Sequence, residues 1–153
     1  MQDTKPPAVL QFVIENLPPG LDALRTEART EGYLFIERLI ADWEARRIRF
    51  DRKDEVLLAA HVKGVLAGIG GLTVEPVLPD ALRMRRFYIR PSYRRWGVGR
   101  KLAIALLEQA RSSSRLVTVN AAPASFPFWE AVGFAPHMRD GHTHLQQLAA
   151  KRS

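Results

Sequence analysis

The sequence predicts an α/β (α+β) fold, a mixed sheet flanked by helices, and three observations carry that expectation. Leu82–Asn120 reads as strand, tight turn, helix and strand, a crossover that makes its two strands parallel and right-handed. Two β-rich runs, Glu55–Val62 and Val65–Val74, meet at Lys63-Gly64, the signature of an antiparallel hairpin. Helical spacing fills the segments before the hairpin and inside the crossover. Helices packed on a mixed sheet satisfy all three.

The remaining elements follow in order. Val9–Glu15 is a strand, stopped by Leu17-Pro18-Pro19-Gly20. Leu21–Thr30 and Tyr33–Arg47 carry helical spacing around Gly32, with Leu34, Ile36, Leu39, Ile40 and Trp43 as the second helix's apolar band. Pro76 and Pro79 mark a loop, and Leu82–Ile89 is a strand ended by Pro91. Gly97–Arg111 is a helix whose Val98, Leu102, Ala105 and Leu106 share one face. Leu116–Asn120 is a short buried-type strand. Ala124–Val132 is a short helix with Gly133 as its stop. Phe134–His137 and Thr143–Leu148 close the chain around Arg139-Asp140-Gly141. The chain of 153 residues fits one domain, 1–153, with 1–8 and 150–153 as flexible tails.

Composition excludes several classes. The chain has no cysteine, which removes disulfide frameworks, cysteine-ligated zinc and thiol nucleophiles. Its N-terminus lacks a signal-peptide pattern and no apolar run would span a bilayer, so the expected setting is cytoplasmic, without a membrane partner. The net charge is +7. Its densest cluster, Arg83, Arg85, Arg86, Arg90, Arg94, Arg95, Arg100 and Lys101, occupies one strand and the turn after it. A local cluster suits a compact anion better than a duplex, so nucleic acid is not the expected partner.

The chemistry concentrates in Tyr93-Arg94-Arg95-Trp96-Gly97-Val98-Gly99-Arg100-Lys101. It leaves a strand and opens a helix, whose first turn has unpaired N–H groups and a positive dipole end. Glycines there let a phosphate approach the backbone, and Arg94, Arg95 and Arg100 add charge, which suits a pyrophosphate. The spacing lacks the third glycine of a dinucleotide fingerprint and the Gly-Lys-Ser/Thr of a P-loop.

Arg94-x-x-Gly97-x-Gly99 resembles the Arg/Gln-x-x-Gly-x-Gly/Ala signature of the GNAT superfamily of N-acetyltransferases. A second block, Val119-Asn120-Ala121-Ala122-Pro123 followed by Phe128-Trp129-Glu130-Ala131-Val132-Gly133-Phe134, is similar to that family's Asn-Ala-x-Pro and Phe-Tyr-Glu-x-x-Gly-Phe segment. The two blocks stand in the family's order and cover roughly the C-terminal half of the chain.

The resemblance implies a mixed, mostly antiparallel twisted sheet of six or seven strands with a splayed parallel pair at its centre. It implies acetyl-CoA as co-substrate, no metal, and acetyl transfer to a small-molecule or peptide amine, and it is compatible with a homodimer. The backbone of Phe87, Tyr88 and Ile89 would pair with the pantetheine arm like an added strand, with the Ile89 N–H facing the thioester carbonyl. The pyrophosphate would rest on Arg94, Arg95, Trp96, Gly97, Val98, Gly99 and Arg100. Asn120, Ser125, Phe128 and Trp129 would flank the pantetheine and sulfur.

Two departures from the family pattern bear on catalysis. Trp129 stands where the family often has a tyrosine acid, leaving Tyr88 or Tyr93 as substitutes, and its other reading is a core aromatic. The strand Arg83-Met84-Arg85-Arg86 has no glutamate, leaving Glu31, Glu75 and Glu130 as general-base candidates, each of a type usually found as a surface carboxylate. Glu31 and Tyr33 are the acceptor-binding candidates, and Tyr33, Arg38 and Trp43 lie on the helices that wall the acceptor pocket in the resembled fold. His137, His142 and His144 read as surface or loop histidines rather than a metal site. A tRNA-acetylating toxin of the same superfamily, a non-catalytic CoA-binding module and a nucleic-acid-binding module are the rival readings.

Overall fold

The computed structural model describes residues 5–149. The expected tail segments 1–4 and 150–153 lie outside the described residues. Among those described, seven strands and four α-helices follow the order β1 (Ala8–Phe12), α1 (Leu21–Thr30), α2 (Phe35–Glu44), β2 (Val56–Val62), β3 (Val65–Val74), β4 (Ala81–Ile89), α3 (Val98–Arg111), β5 (Leu116–Val119), α4 (Phe126–Ala131), β6 (Ala135–Arg139) and β7 (His142–Gln147). The strands form one sheet in the order β1-β2-β3-β4-β5-β7-β6. All neighbours are antiparallel except β4 and β5, the pair that the crossover reading makes parallel.

Two apolar clusters sandwich the sheet. On one face α3 lays Val98, Leu102, Leu106 and Ala110 against Leu82, Met84, Val117 and Val119. On the other, α1 and α2 contribute Leu24, Ile36, Leu39 and Trp43 to a cluster with Leu57, Ile69 and Tyr88. Trp43 is therefore core. The β2–β3 hairpin turns at Lys63 and Gly64 with φ of 49° and 78°, the paired left-handed residues of a tight turn that matches strand twist.

Several boundaries differ from expectation. Ala8 is not tail: it opens β1, is buried, and its carbonyl accepts from Lys101 Nζ on α3. Helix α2 is shorter than Tyr33–Arg47, because Arg46 takes a φ of 59° and the chain breaks away after Ala45. His142 and His144 are not surface residues, at 3% and 0% exposure. They belong to β7, which lies between β5 and β6 in the sheet, and burial follows from that position. Glu75 is buried too, its Oε2 accepting the Val77 and Leu78 amides, so its carboxylate closes the loop before β4.

Strand β4 positions the site. It pairs with β5 only from Ala81 to Met84. Beyond that, a bulge sets two residues, Arg86 and Phe87, opposite Gly70 of β3, and Arg86 has a φ of 55°. The bulge bends the strand, and the two parallel strands splay. A side-chain carbon on Gly70 would lie 2.6 Å from the Phe87 ring, so only glycine fits beneath the bulge.

Candidate active site

The splay opens a cleft of about 860 Å³. One wall is β4 from Arg83 to Ile89, the other is Val119–Ala122 after β5 with Ser125, Phe128 and Trp129 around α4. One end is lined by Arg94, Arg95, Gly97, Gly99 and Arg100, and α1–α2 contribute Glu31, Tyr33, Phe35 and Arg38.

The wall of β4 presents backbone. Arg90 N–H donates to the Ala67 carbonyl at 2.9 Å. Strand alternation therefore turns the N–H and C=O of Ile89 to the opposite edge, which β5 does not cover. The Ile89 carbonyl accepts from Arg94 Nε at 3.0 Å, and its N–H faces the cleft. An uncovered strand edge inside a fold is a template for an extended ligand.

At the mouth, the chain passes a single 3-10 turn, Pro91–Tyr93, and enters α3 through Gly97 at a φ of 77°. That cap has no side chain, and no side-chain hydrogen bond covers the first amides of α3. Val98, Gly99 and Arg100 N–H groups are thus free to bind an anion. A side-chain carbon at position 99 would lie 3.1 Å from the Phe128 ring and 3.3 Å from Ile89 Cγ1, so Gly99 keeps the passage between β4 and α4 open. Arg95 and Arg100 are exposed beside it.

A family model described as an acetyltransferase (GNAT) domain matches residues 25–144. The chain belongs to the GNAT acetyltransferase family. Solved structures share the fold of this GNAT chain over nearly its whole length. A candidate acetyltransferase from Exiguobacterium sp. 255-15 is 18% identical with a TM-score of 0.85, covering 92% of this chain and 93% of that one. An Escherichia coli GNAT family N-acetyltransferase in complex with CoA is 16% identical with a TM-score of 0.68, covering 97% and 86%. The PaiA N-acetyltransferase of Thermoplasma acidophilum, in complex with coenzyme A, is 16% identical with a TM-score of 0.66, covering 92% and 99%. No curated protein matches the sequence significantly.

In this GNAT chain the expected site residues do not all face the cleft. Phe87, Tyr88, Ile89, Arg94, Arg95, Gly97, Gly99, Arg100, Asn120, Ser125, Phe128, Trp129, Glu31 and Tyr33 line it. Trp96 and Val98 do not: Trp96 packs edge-on against Tyr93 at 5.1 Å, and Val98 is buried under the sheet. Arg94 keeps its backbone at the turn, but its guanidinium bonds the Glu31 carboxylate at 2.7 and 2.8 Å. Tyr88 hydroxyl also donates to Glu31, at 2.5 Å. Arg94 beside Glu31 holds that carboxyl below the ordinary glutamate range. Burial, with the hydrogen bond to Glu31, pushes the Tyr88 phenol far above its ordinary value. Trp129 is buried, with Phe87, Phe128 and Phe134 around it at centroid distances of 4.8, 4.9 and 5.4 Å.

Sequence reasoning missed two contributions. Phe35 packs between Tyr33 and Tyr88 with tilted rings at centroid distances of 5.3 and 5.7 Å, on the α1–α2 side of the cleft. Thr143 Oγ1 accepts the Ala121 N–H at 3.0 Å and donates to the Val119 carbonyl at 3.2 Å, holding the wall beside Asn120. The only sequence signal for Thr143 was its place on a closing strand. Behind it His144 bonds Glu130 at 2.9 Å, which accounts for Glu130. Among the described residues no group of three or more potential metal ligands occurs, and no helix is long and apolar enough to cross a membrane.

Proposed function

We propose that this protein moves an acetyl group from acetyl-CoA to a primary amine by direct attack in a ternary complex. The observation that carries the reading is the continuity of one cleft: the uncovered edge of β4 runs from the bulge at Arg86 to the bare amides of the Gly97–Gly99 turn. A ligand with an extended amide-bearing arm and a pyrophosphate at one end matches both parts. Family membership and the CoA-bound structures of similar fold support it.

Direct transfer needs a neutral amine, an oxyanion donor and a departing thiolate. The Ile89 N–H faces the space where a thioester carbonyl on the β4 edge would sit, and a preorganised amide of this kind stabilises developing negative charge. The thiol leaving group, with a pKa of about 8.5, departs as thiolate without a strong acid. An alkyl amine of pKa about 10 must lose a proton first. Glu31, held low by Arg94, is a weak base for that task, and Tyr88, held high, is a poor acid. Deprotonation therefore falls to water reaching the open cleft. A chain without cysteine needs no acyl-enzyme on this route.

The test is thermal unfolding with acetyl-CoA, followed by an amine screen. At a hundred times its dissociation constant the ligand adds about 2.7 kcal/mol, a rise in Tm of roughly 5–10 °C. Replacing the exposed Arg95 and Arg100 with alanine reduces the shift without lowering the Tm of the free protein. No shift with acetyl-CoA or CoA overturns the reading. A shift without turnover on any amine leaves a CoA-binding module.

A further inference from the structure

We propose that the acceptor is a small amine carrying a carboxylate or phosphate, held by an arginine cluster at the end of the cleft away from the Gly97–Gly99 turn. This rests on the acetyl-transfer reading and assigns its substrate class. Arg83, Arg85 and Arg86 of β4 and Arg38 of α2 line that end together. Of these four, only Arg86 has an ion-pair partner among the described residues, Asp42 at 3.1 Å, and Asp42 is shared with Arg47 at 3.0 Å. Arg38, Arg83 and Arg85 make no ion pair there, and Arg83 Nε is buried without a hydrogen-bond partner. Burial, reinforced by the neighbouring Arg86 and Arg83, pulls the Arg85 guanidinium below its ordinary range, against the weaker opposing pull of Asp42 and Glu55. Burial likewise lowers Arg86, against the pull of Asp42.

Gathering like charges in a half-buried wall is unfavourable unless a counter-charge arrives. Arginine forks match carboxylate and phosphate oxygens. The CoA pyrophosphate cannot serve both ends. Arg85 and Ile89 face Gly71 and Gly68 of β3, three strand steps or about 10 Å apart across the bulge, and the turn lies beyond Ile89. The pantetheine arm between them is uncharged. Tyr33 and Phe35 stand on the same side and offer aromatic surface beside the cations, which suits a compact organic acid with an amine directed toward Ile89.

The test uses matched pairs of amines: phenylalanine against phenylalanine amide, and phosphoethanolamine against ethanolamine. Calorimetry on the CoA-saturated protein reads binding without turnover. The anionic member of at least one pair should bind about tenfold or more tightly, as hydrogen bonds to charged groups allow, and the pair that shows it separates carboxylate from phosphate. Arg85→Gln should erase that preference while acetyl-CoA affinity stays within about twofold. Arg38→Gln, on an exposed position of α2, should weaken it with the fold intact, and covers the case in which Arg85→Gln does not fold. Equal binding within both pairs, no binding in either, or tighter binding of the neutral members overturns the proposal. So does a loss of acetyl-CoA affinity in the variants, which would assign the cluster to a CoA phosphate. If acetyl-CoA itself does not bind, the acetyl-transfer reading fails alone. The same titrations on the free protein then decide the anion site, retained preference supporting it and none overturning it.

Discussion

Glu31, at the end of α1, and Arg94, five residues after Ile89, close on each other across the cleft through two hydrogen bonds of 2.7 and 2.8 Å. The same guanidinium holds the Ile89 carbonyl at 3.0 Å. The pair thus ties the end of α1, on the proposed acceptor side, to the strand end that carries the proposed oxyanion donor.

Glu31→Gln keeps the shape of the side chain and removes its charge. Both partners are partly exposed, at 28% and 43% of the side chain, so solvent screening limits the loss of stability to about 1 kcal/mol. Because the folded-state carboxyl titrates below its unfolded value, the pair's contribution is full above the unfolded pKa and fades as pH falls through the folded one. Denaturant melts of the two proteins should differ at pH 7 and converge toward strong acid. In turnover, Glu31→Gln should leave the acidic, ascending limb of the pH–rate profile where it is. Loss of that limb would identify Glu31 as the base.

What could be read in advance depended on how local the signal was. Helix α1 falls at Leu21–Thr30 as expected, because Pro18-Pro19 keeps the approach non-helical and Gly20 takes the left-handed turn at a φ of 91°. The turn at Gly97 and Gly99 was legible for the same reason. The tie between Glu31 and Arg94 spans 63 residues and leaves no mark in either neighbourhood. Nor does the burial of His142 and His144, which arises because β7 inserts between β5 and β6. The basic run Arg83–Arg86 reads in the sequence as one cluster with the turn, suited to a compact anion, and not as a place apart from it. Only the splay of β4 from β5, which begins after Met84, separates the two.

Gly97 and Gly99 should respond differently to a side chain. Nothing lies within 4 Å of a carbon added at Gly97, so Gly97→Ala meets only its left-handed φ of 77°, a cost of about 1–2 kcal/mol. At Gly99 the backbone tolerates any residue, but the Phe128 ring and Ile89 crowd the added atoms. Gly99→Val should cost about 1–3 kcal/mol by overpacking and also narrow the passage between β4 and α4. Melts with and without acetyl-CoA should show Gly97→Ala with a lower Tm but most of its ligand shift. Gly99→Val should lose the shift. A full shift in Gly99→Val would place the arm of the ligand elsewhere.

Trp129 packs as buried bulk among aromatic rings. It sits 4% exposed against three phenylalanine rings. Trp129→Ala should cost about 3–5 kcal/mol, seen as a large drop in Tm. Trp129→Phe keeps much of the packing and deletes the indole N–H. Its kcat should remain within about threefold, since a thiolate with a pKa near 8.5 departs unaided. A fall of a hundredfold with the Tm preserved would mean that the indole N–H takes part in the reaction.

His142 is a pH-sensitive element of stability away from the cleft. Its ring is 3% exposed and stacks on His137, with Nε2 and the His137 Nδ1 2.9 Å apart, and its own Nδ1 has no partner. Burial, with the neighbouring His137 ring, holds the imidazole below its ordinary pKa, although Glu75 pulls the other way. The unfolded chain therefore binds a proton that the folded chain resists. Stability is full above the unfolded value of about 6.5 and falls as pH drops through it toward the lower folded value. This window lies above the one in which Glu31 titrates, so the two separate in a pH series. His142→Gln removes the titration and should flatten the stability curve as pH falls below about 6.5, where the parent chain weakens. Chemical denaturation across that range is the check, and a parent curve as flat as the variant's would show that protonation of His142 is tolerated in the folded sheet.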